Sequence, residues 1–477
     1  MTPPEKPKPA KVPLGSKVAY GAAGPVDIWC TWVPLGMANQ VFNMTLGLSP
    51  ILVSMAFAIF RLYDAIIDPL MGWISDNTRT RWGRRKPYIL VGAILTGLCF
   101  PLIWMVGRDW SPAAMTAWLI VTGILFYTCT TLWNMPYQSM LLEMTTDYNE
   151  RTTITSFRAF FQNFSTIVAT WVWAITQLPY FMDTETGKPD TLAGIRTVAV
   201  AMGIMVIVLG LLPLLVKARA DAAPLSATKT RLRESFRKTM SHKPFLIILA
   251  FAVLFSFGGS MVGSFNVYVS TYYVYGGDQA GASIINGLSG TIGLFLSIGS
   301  LPLFNLLSRR IGKTRTLFIC VGIQILSTAT KWWTYTPDFP ELIIVANSLM
   351  YISNAGLWVM LPSMMADSVD ADELKTGERR EGSFASVFSW ILKVSMTAGL
   401  ALSGPLLAIT GFDVKVGPVQ PEDVLTRMRL IMTVLPSVML VFAALVLMRY
   451  PLGPSRMAEI RTQLDERKEN TDDRQPA

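Results

Sequence analysis

Twelve apolar stretches recur along the chain with short polar gaps between them, each about as long as the roughly 20 residues that carry a helix across a bilayer. They fall near 18–44, 50–73, 88–107, 113–142, 154–178, 195–216, 244–273, 281–307, 315–335, 341–365, 384–411 and 426–448. A backbone in hydrocarbon must satisfy its own hydrogen bonds, so the spacing predicts an all-α polytopic membrane protein with twelve transmembrane helices. Charged residues are only 15% of the 477, and apolar ones are 51%, which argues against a disordered chain, a fibre or an ordinary cytosolic enzyme. Pro25, Pro69, Pro136 and Pro362 lie inside spans, where neighbouring groups satisfy the freed backbone. No apolar core with a small-residue cleavage site directly follows the Pro- and Lys-rich first 15 residues, so no cleaved signal peptide is expected.

The positive charges orient the spans. With the N-terminus, the even-numbered loops and the C-terminal tail on one side, 31 of the 41 Lys and Arg lie there. Seven lie on the other side, and Arg61, Arg158 and Lys393 lie within spans. This bias predicts a multi-pass protein of the cell membrane, a bacterial inner membrane, with both termini cytoplasmic. It also accounts for the net charge of +9 without a nucleic-acid partner.

The longest hydrophilic stretch between spans, about 217–243, separates six spans from six. The expected organisation is an N-terminal six-helix bundle within 1–217, a basic cytoplasmic linker at 218–243, a C-terminal six-helix bundle at 244–449 and a polar cytoplasmic tail at 450–477. A weak repeat supports two pseudo-symmetric bundles. Asp76, Arg81, Gly83, Arg84 and Arg85 in one loop are echoed by Arg309, Arg310, Gly312 and Lys313, and Asp147, Glu150 and Arg151 by Asp367, Asp370, Asp372, Arg379 and Arg380. Basic cytoplasmic loops are general to membrane proteins, but they account less well for the matching Gly-Arg/Lys punctuation. Two similar halves rocking about a central site are what an alternating-access carrier needs. Asp76, Arg81, Gly83, Arg84, Arg151, Asp367 and Arg379 are the expected gating residues.

Ionised side chains at bilayer depth are costly unless paired or hydrated, so they are the functional candidates. Six occur: Asp27, Arg61, Asp64, Asp68, Arg158 and Lys393. Asp64 and Asp68 are four apart on one helix and face the same way. Two carboxylates on one stripe persist if a cation sits between them or if one takes a proton. The alternative is that they only pair with Arg61 and Lys393 to hold helices together. Thr131 and Asn134 offer neutral oxygens that can complete a cation shell, although such residues also bond neighbouring helices. Asp27 beside Trp29 and Trp32 suits a sugar ring, or the aromatic residues are packing. Arg158 and Lys393 can donate to the same ligand, or to a carboxylate-bearing one. Cys30, Cys99, Cys129 and Cys320 read as buried apolar residues, not a disulfide framework or zinc site. The one histidine, His242, lies in a basic loop, which speaks against a catalytic triad or His-based metal site.

The run from Arg61 through Asp64, Asp68, Pro69, Gly72 and Asp76 to Arg81-Trp82-Gly83-Arg84-Arg85-Lys86-Pro87 resembles the glycoside–pentoside–hexuronide:cation symporter family, which includes the melibiose carrier. So do Asp147-Tyr148-Asn149-Glu150-Arg151 followed by Arg158, and Ala366-Asp367-Ser368-Val369-Asp370 followed by Gly377, Arg379, Glu381, Gly382 and Lys393. The resemblance implies the major facilitator fold, with Asp64, Asp68 and Thr131 as cation ligands and Arg158, Lys393 and Asp27 at the sugar site. Asn134 stands where the melibiose carrier has a third aspartate, which makes proton coupling more plausible beside sodium. Gln138 replaces that carrier's sugar-stacking tryptophan, so melibiose itself is not implied.

The expected function is cation-coupled symport of a sugar, glycoside or uronide, driven by Na⁺ or H⁺, with no other cofactor and with the monomer as the working unit. Lysolipid-carrying relatives share the aspartate pair, so transport of a lysolipid is an alternative. A membrane sensor is a further one, although it would usually carry a soluble domain. An enzyme is not expected, because the chain offers neither a nucleophile–base pair nor a phosphate loop.

Overall fold

A computed structural model of the chain describes residues 12–145, 147–184, 187–216, 237–378 and 380–472. The chain divides into two compact units, Met1–Ser226 and Ala227–Ala477. Apart from an isolated bridge between Met182 and Pro189, the regular structure among the described residues is helical.

The first unit holds α1 (Leu14–Gly21), α2 (Gly24–Ala38), α3 (Pro50–Asn77), α4 (Lys86–Leu102), α5 (Pro112–Met144), α6 (Tyr148–Thr176) and α7 (Thr191–Leu211). The second holds α8 (Lys243–Tyr268), α9 (Gln279–Ile311), α10 (Lys313–Thr334), α11 (Ile343–Thr376), α12 (Glu381–Ile409), α13 (Glu422–Leu447) and α14 (Pro454–Asp472). With α1 and α2 counted as one interrupted crossing and α14 set aside, each unit supplies six of the twelve crossings. Among the described residues, eight helices are long and apolar enough to span a bilayer on length and composition alone, and α4 is apolar but only 17 residues long. Side-chain caps start several of them: Ser111 accepts from the Ala114 N–H, and Asp190 and Asp278 each accept from two N–H groups of α7 and α9.

The units share one internal plan. In the first, the second crossing packs on the fourth (α3–α5), the third on the fourth (α4–α5) and on the sixth (α4–α7), and the first on the fifth (α1 and α2 against α6). The second repeats these pairings as α9–α11, α10–α11, α10–α13 and α8–α12. The first crossing of each unit ends in a wide π-helical turn, Asn39–Thr45 and Val269–Val274. Each of these turns is followed within two residues by a left-handed glycine, Gly47 (φ 70°) and Gly276 (φ 57°). Small residues bring helices close. Where α4 crosses α7, Gly97 and Gly203 lie so near that a Cβ on either would overlap the other's carbonyl oxygen.

Several elements differ from the sequence reading. The first crossing, expected as one helix, breaks at Ala22–Ala23. Pro25 opens α2 without an N–H to continue the earlier turn, and α6 comes within 2.9 Å of where a Gly21 Cβ would sit. The third stops at Leu102, after Pro101, short of the expected 107. The tail is not merely polar. Helix α14 docks on the second unit, where Met457, Ile460 and Leu464 join Leu452 and Ala371 in a small apolar cluster. The four cysteines are buried and unbridged, with Cys99 and Cys129 facing each other at 3.8 Å across α4–α5.

Candidate functional site

Helix α5 carries the site in the first unit. On one side it faces α3 in a matched ladder. Arg61 lies over the Tyr127 ring at 5.4 Å and its Nη1 is 3.4 Å from Asp64 Oδ2. One turn on, the Thr131 hydroxyl lies 2.9 Å from Asp68 Oδ1 and 3.2 Å from Asp64 Oδ1. Asp64 and Thr131 are buried, and Asp68 is half-buried. A hydroxyl has a single proton, so Thr131 can donate to only one carboxylate at a time. Pro69 has no N–H for the carbonyl of Ala65, and Pro136 none for that of Leu132, so both helices are locally loosened beside this ladder.

Three residues further along α5, a second cluster forms with α2 and α6. Asp27 is its centre. Oδ2 accepts from Arg158 Nη2 at 3.0 Å and from Gln162 Nε2 at 3.1 Å, and Oδ1 accepts from Asn134 Nδ2 at 3.2 Å. Gln138 donates to Asn134 Oδ1 at 3.1 Å. Beneath Arg158 lies the Tyr137 ring, 5.2 Å away, itself stacked between Tyr20 and Trp133. The first unit thus gathers five of the six intramembrane charges. Asp27 and Arg158 neutralise each other, and Arg61 pairs with Asp64.

Asn134 is not with the carboxylate pair, as its spacing from Thr131 suggested; both ends of its amide are engaged in the Asp27 cluster. Trp29 is only 3% exposed and donates its indole N–H to the Ser165 carbonyl at 3.0 Å, so it packs α2 on α6. Lys393 lies half-buried on α12 in the second unit. Gln162 was missed, although it stands one helical turn after Arg158 on the same stripe.

The loop residues form clamps within each unit. Arg84 and Arg85 both reach Glu143 near the end of α5, and Arg85 also reaches Asp76 at 3.2 Å. Burial pushes the Arg85 guanidinium below its ordinary value, opposed by Glu143. The second unit repeats the clamp with Lys313, the first residue of α10, at 2.6 Å from Asp367 of α11. Arg461 of α14 meets the same carboxylate at 3.2 Å. Arg81 lies over Trp82 at 6.0 Å, Gly83 turns at φ 90°, and Arg151 donates to the Thr145 carbonyl at 3.0 Å. Arg379 lies outside the described residues.

A family model described as MFS/sugar transport protein matches residues 22–454. The chain belongs to this family. It is 26% identical to a putative glycoside/cation symporter of Escherichia coli, over 94% of this chain and 95% of that one. It is also 26% identical to a sodium-dependent lysophosphatidylcholine symporter of Danio rerio, over 92% and 86%. Its fold is similar to that of a mutant form of the nucleoside transporter NupG, with a TM-score of 0.64 at 14% identity over 92% of this chain and 100% of that one. As a member of the MFS/sugar transport family it is a multi-pass transporter rather than an enzyme, built as two six-helix bundles of the major facilitator fold.

Proposed function

We propose that this transporter is a symporter that couples the entry of a sugar or glycoside to Na⁺ or H⁺ by alternating access. Asp64, Asp68 and Thr131 take the cation; Asp27, Arg158, Asn134, Gln162 and Gln138 take the solute. One observation carries the reading: two carboxylates of one helix converge on a single threonine hydroxyl. Two carboxylates brought to one hydroxyl repel each other when both are ionised, and a bound cation or proton relieves that repulsion. Asp27 and its amide and guanidinium partners are a hydrogen-bonding set suited to sugar hydroxyls.

Helix α5 is the coupling element in this reading. Thr131 and Asn134 are three residues apart, a rise of about 4.5 Å, on one helix. Filling the cation site repositions Thr131 and with it the amide that holds Asp27. Coupling is a linkage free energy, so the solute must tighten the cation by the same factor that the cation tightens the solute. The clamps at Glu143 and Asp367 hold the loops that gate the cycle. The basic loops and both termini face the cytoplasm, and the monomer suffices.

The test is uptake by membrane vesicles of a labelled glycoside and uronide panel under an imposed Na⁺ or H⁺ gradient. Accumulation should be lost in Asp64→Asn and in Asp68→Asn. Unchanged gradient-driven accumulation in both would overturn the reading. Similarity to the Danio rerio protein makes lysophosphatidylcholine the comparison solute in the same vesicles.

A further inference from the structure

The second unit carries a polar site that this transport cycle does not use. It is an open cavity of about 660 Å³ at the end of the unit where α8 begins, α11 ends and α12 begins. Five cations line it, Arg237, Lys238, Lys243, Lys375 and Arg380, against two carboxylates, Asp372 and Glu378. Asp372 is already engaged: Arg380 donates to it through Nε at 3.0 Å and through Nη2 at 2.7 and 2.6 Å. The lining carries more cations than carboxylates.

Exposed lysines alone would be a solvated face, but two buried groups point to a ligand. His242 lines the cavity, is only 6% exposed, and has no hydrogen-bond partner on either ring nitrogen among the described residues. Arg380 Nη1 is likewise buried and without a partner. Both side chains line the same cavity and lie against Phe384, the imidazole at 5.7 Å between ring centroids and the guanidinium carbon at 5.9 Å. Buried polar groups are rarely left unsatisfied, because the lost hydration is not returned. The missing partner must accept from an imidazole and a guanidinium, carry more than one negative charge and be reachable from water. We infer that this cavity binds a phosphate monoester group, with Arg380 Nη1 and His242 donating to its oxygens and Lys243 and Lys375 balancing its charge.

The histidine makes such binding pH-dependent. Burial holds the His242 imidazole below its ordinary value; Asp372 opposes this, and Lys375 and Arg380 reinforce it. Arg237, Lys238, Lys243 and Glu378 complete its charged surroundings. A bound dianion favours the imidazolium form, so binding tightens as pH falls.

Calorimetric titration of the purified full-length protein with inorganic phosphate, and with sulfate, which stays a dianion throughout, tests this against chloride at matched ionic strength. Both anions should bind saturably, and sulfate should bind more tightly at about pH 5.5 than at about pH 7.5. His242→Phe should weaken binding roughly tenfold and abolish the pH dependence. Lys375→Gln, an exposed change, should weaken it severalfold and serves if the Phe variant does not fold. A parallel arm places the protein in nanodiscs of phosphatidylcholine with or without phosphatidic acid. Thermal stabilisation by phosphatidic acid that is lost in both variants, without any response to the free anions, assigns the phosphate to a lipid headgroup. Absence of saturable binding in both arms, or binding that neither variant weakens, overturns the proposal. The readout is binding, so it does not depend on which solute is carried.

Discussion

Thr131 sits where one proton must serve two acceptors, and that arithmetic sets what its replacement should do. Thr131→Val keeps the shape and removes the hydroxyl, so the cation loses a neutral oxygen and the carboxylates lose their shared donor. A hydrogen bond to a charged group contributes about 1.5–3 kcal/mol. The half-saturating concentration of the driving ion should therefore rise by at least about tenfold, while solute affinity at saturating ion stays nearly unchanged. Thr131→Ser should restore the ion response. A shift in solute affinity alone, measured by uptake at varied ion concentration, would assign Thr131 to the Asp27 cluster instead. Asp27 behaves differently: it neutralises Arg158, so Asp27→Asn leaves a guanidinium without its counter-charge in a protein interior. Loss of solute binding together with lowered thermal stability is expected.

At the scale of the helix, close approach matters more than hydropathy. Gly97 and Gly203 set the α4–α7 distance, and Gly97→Val should force the helices apart at a cost of about 1–3 kcal/mol, read as a lower melting point in detergent. The crossings were legible because apolar length is a local property that survives any packing. The break at Ala22–Ala23 was not, since it depends on α6 residues Phe157, Arg158 and Gln162, far along the chain, pressing against Gly21 and Gly24. The Asp64–Asp68 stripe could be read from an i, i+4 spacing. Asn134 could not be assigned so easily: residues three apart differ by about 60° around a helix, enough for Thr131 to meet α3 while Asn134 meets α2 and α6. For Trp29, sugar contact and packing both stayed open, because the sequence shows an aromatic ring but not which side of the helix is covered.

Across the whole molecule, the duplicated plan invites a comparison of what the two halves do differently. The first clamps its third and fourth crossings through Glu143, with two arginines. The second uses Asp367, shared between Lys313 and Arg461 of α14. Truncation after Gly453 would remove Arg461 and uncover Ala371, Leu374 and Tyr450. It should lower the melting midpoint by roughly 5–10 °C, at about 2–4 °C per kcal/mol for a unit of this size. Limited proteolysis should show new cleavage in the second unit and an unchanged first unit.

The wide turns that finish the first crossing of each half bear on the history of the chain. Such a turn holds one residue more than a regular helix accommodates, and removing it would rotate everything beyond by about 100°. A single ancestral half that gained the extra residue before it was copied accounts for both. Descendants that lost it from one copy only would have the loop and second crossing of that half turned out of phase with its first crossing.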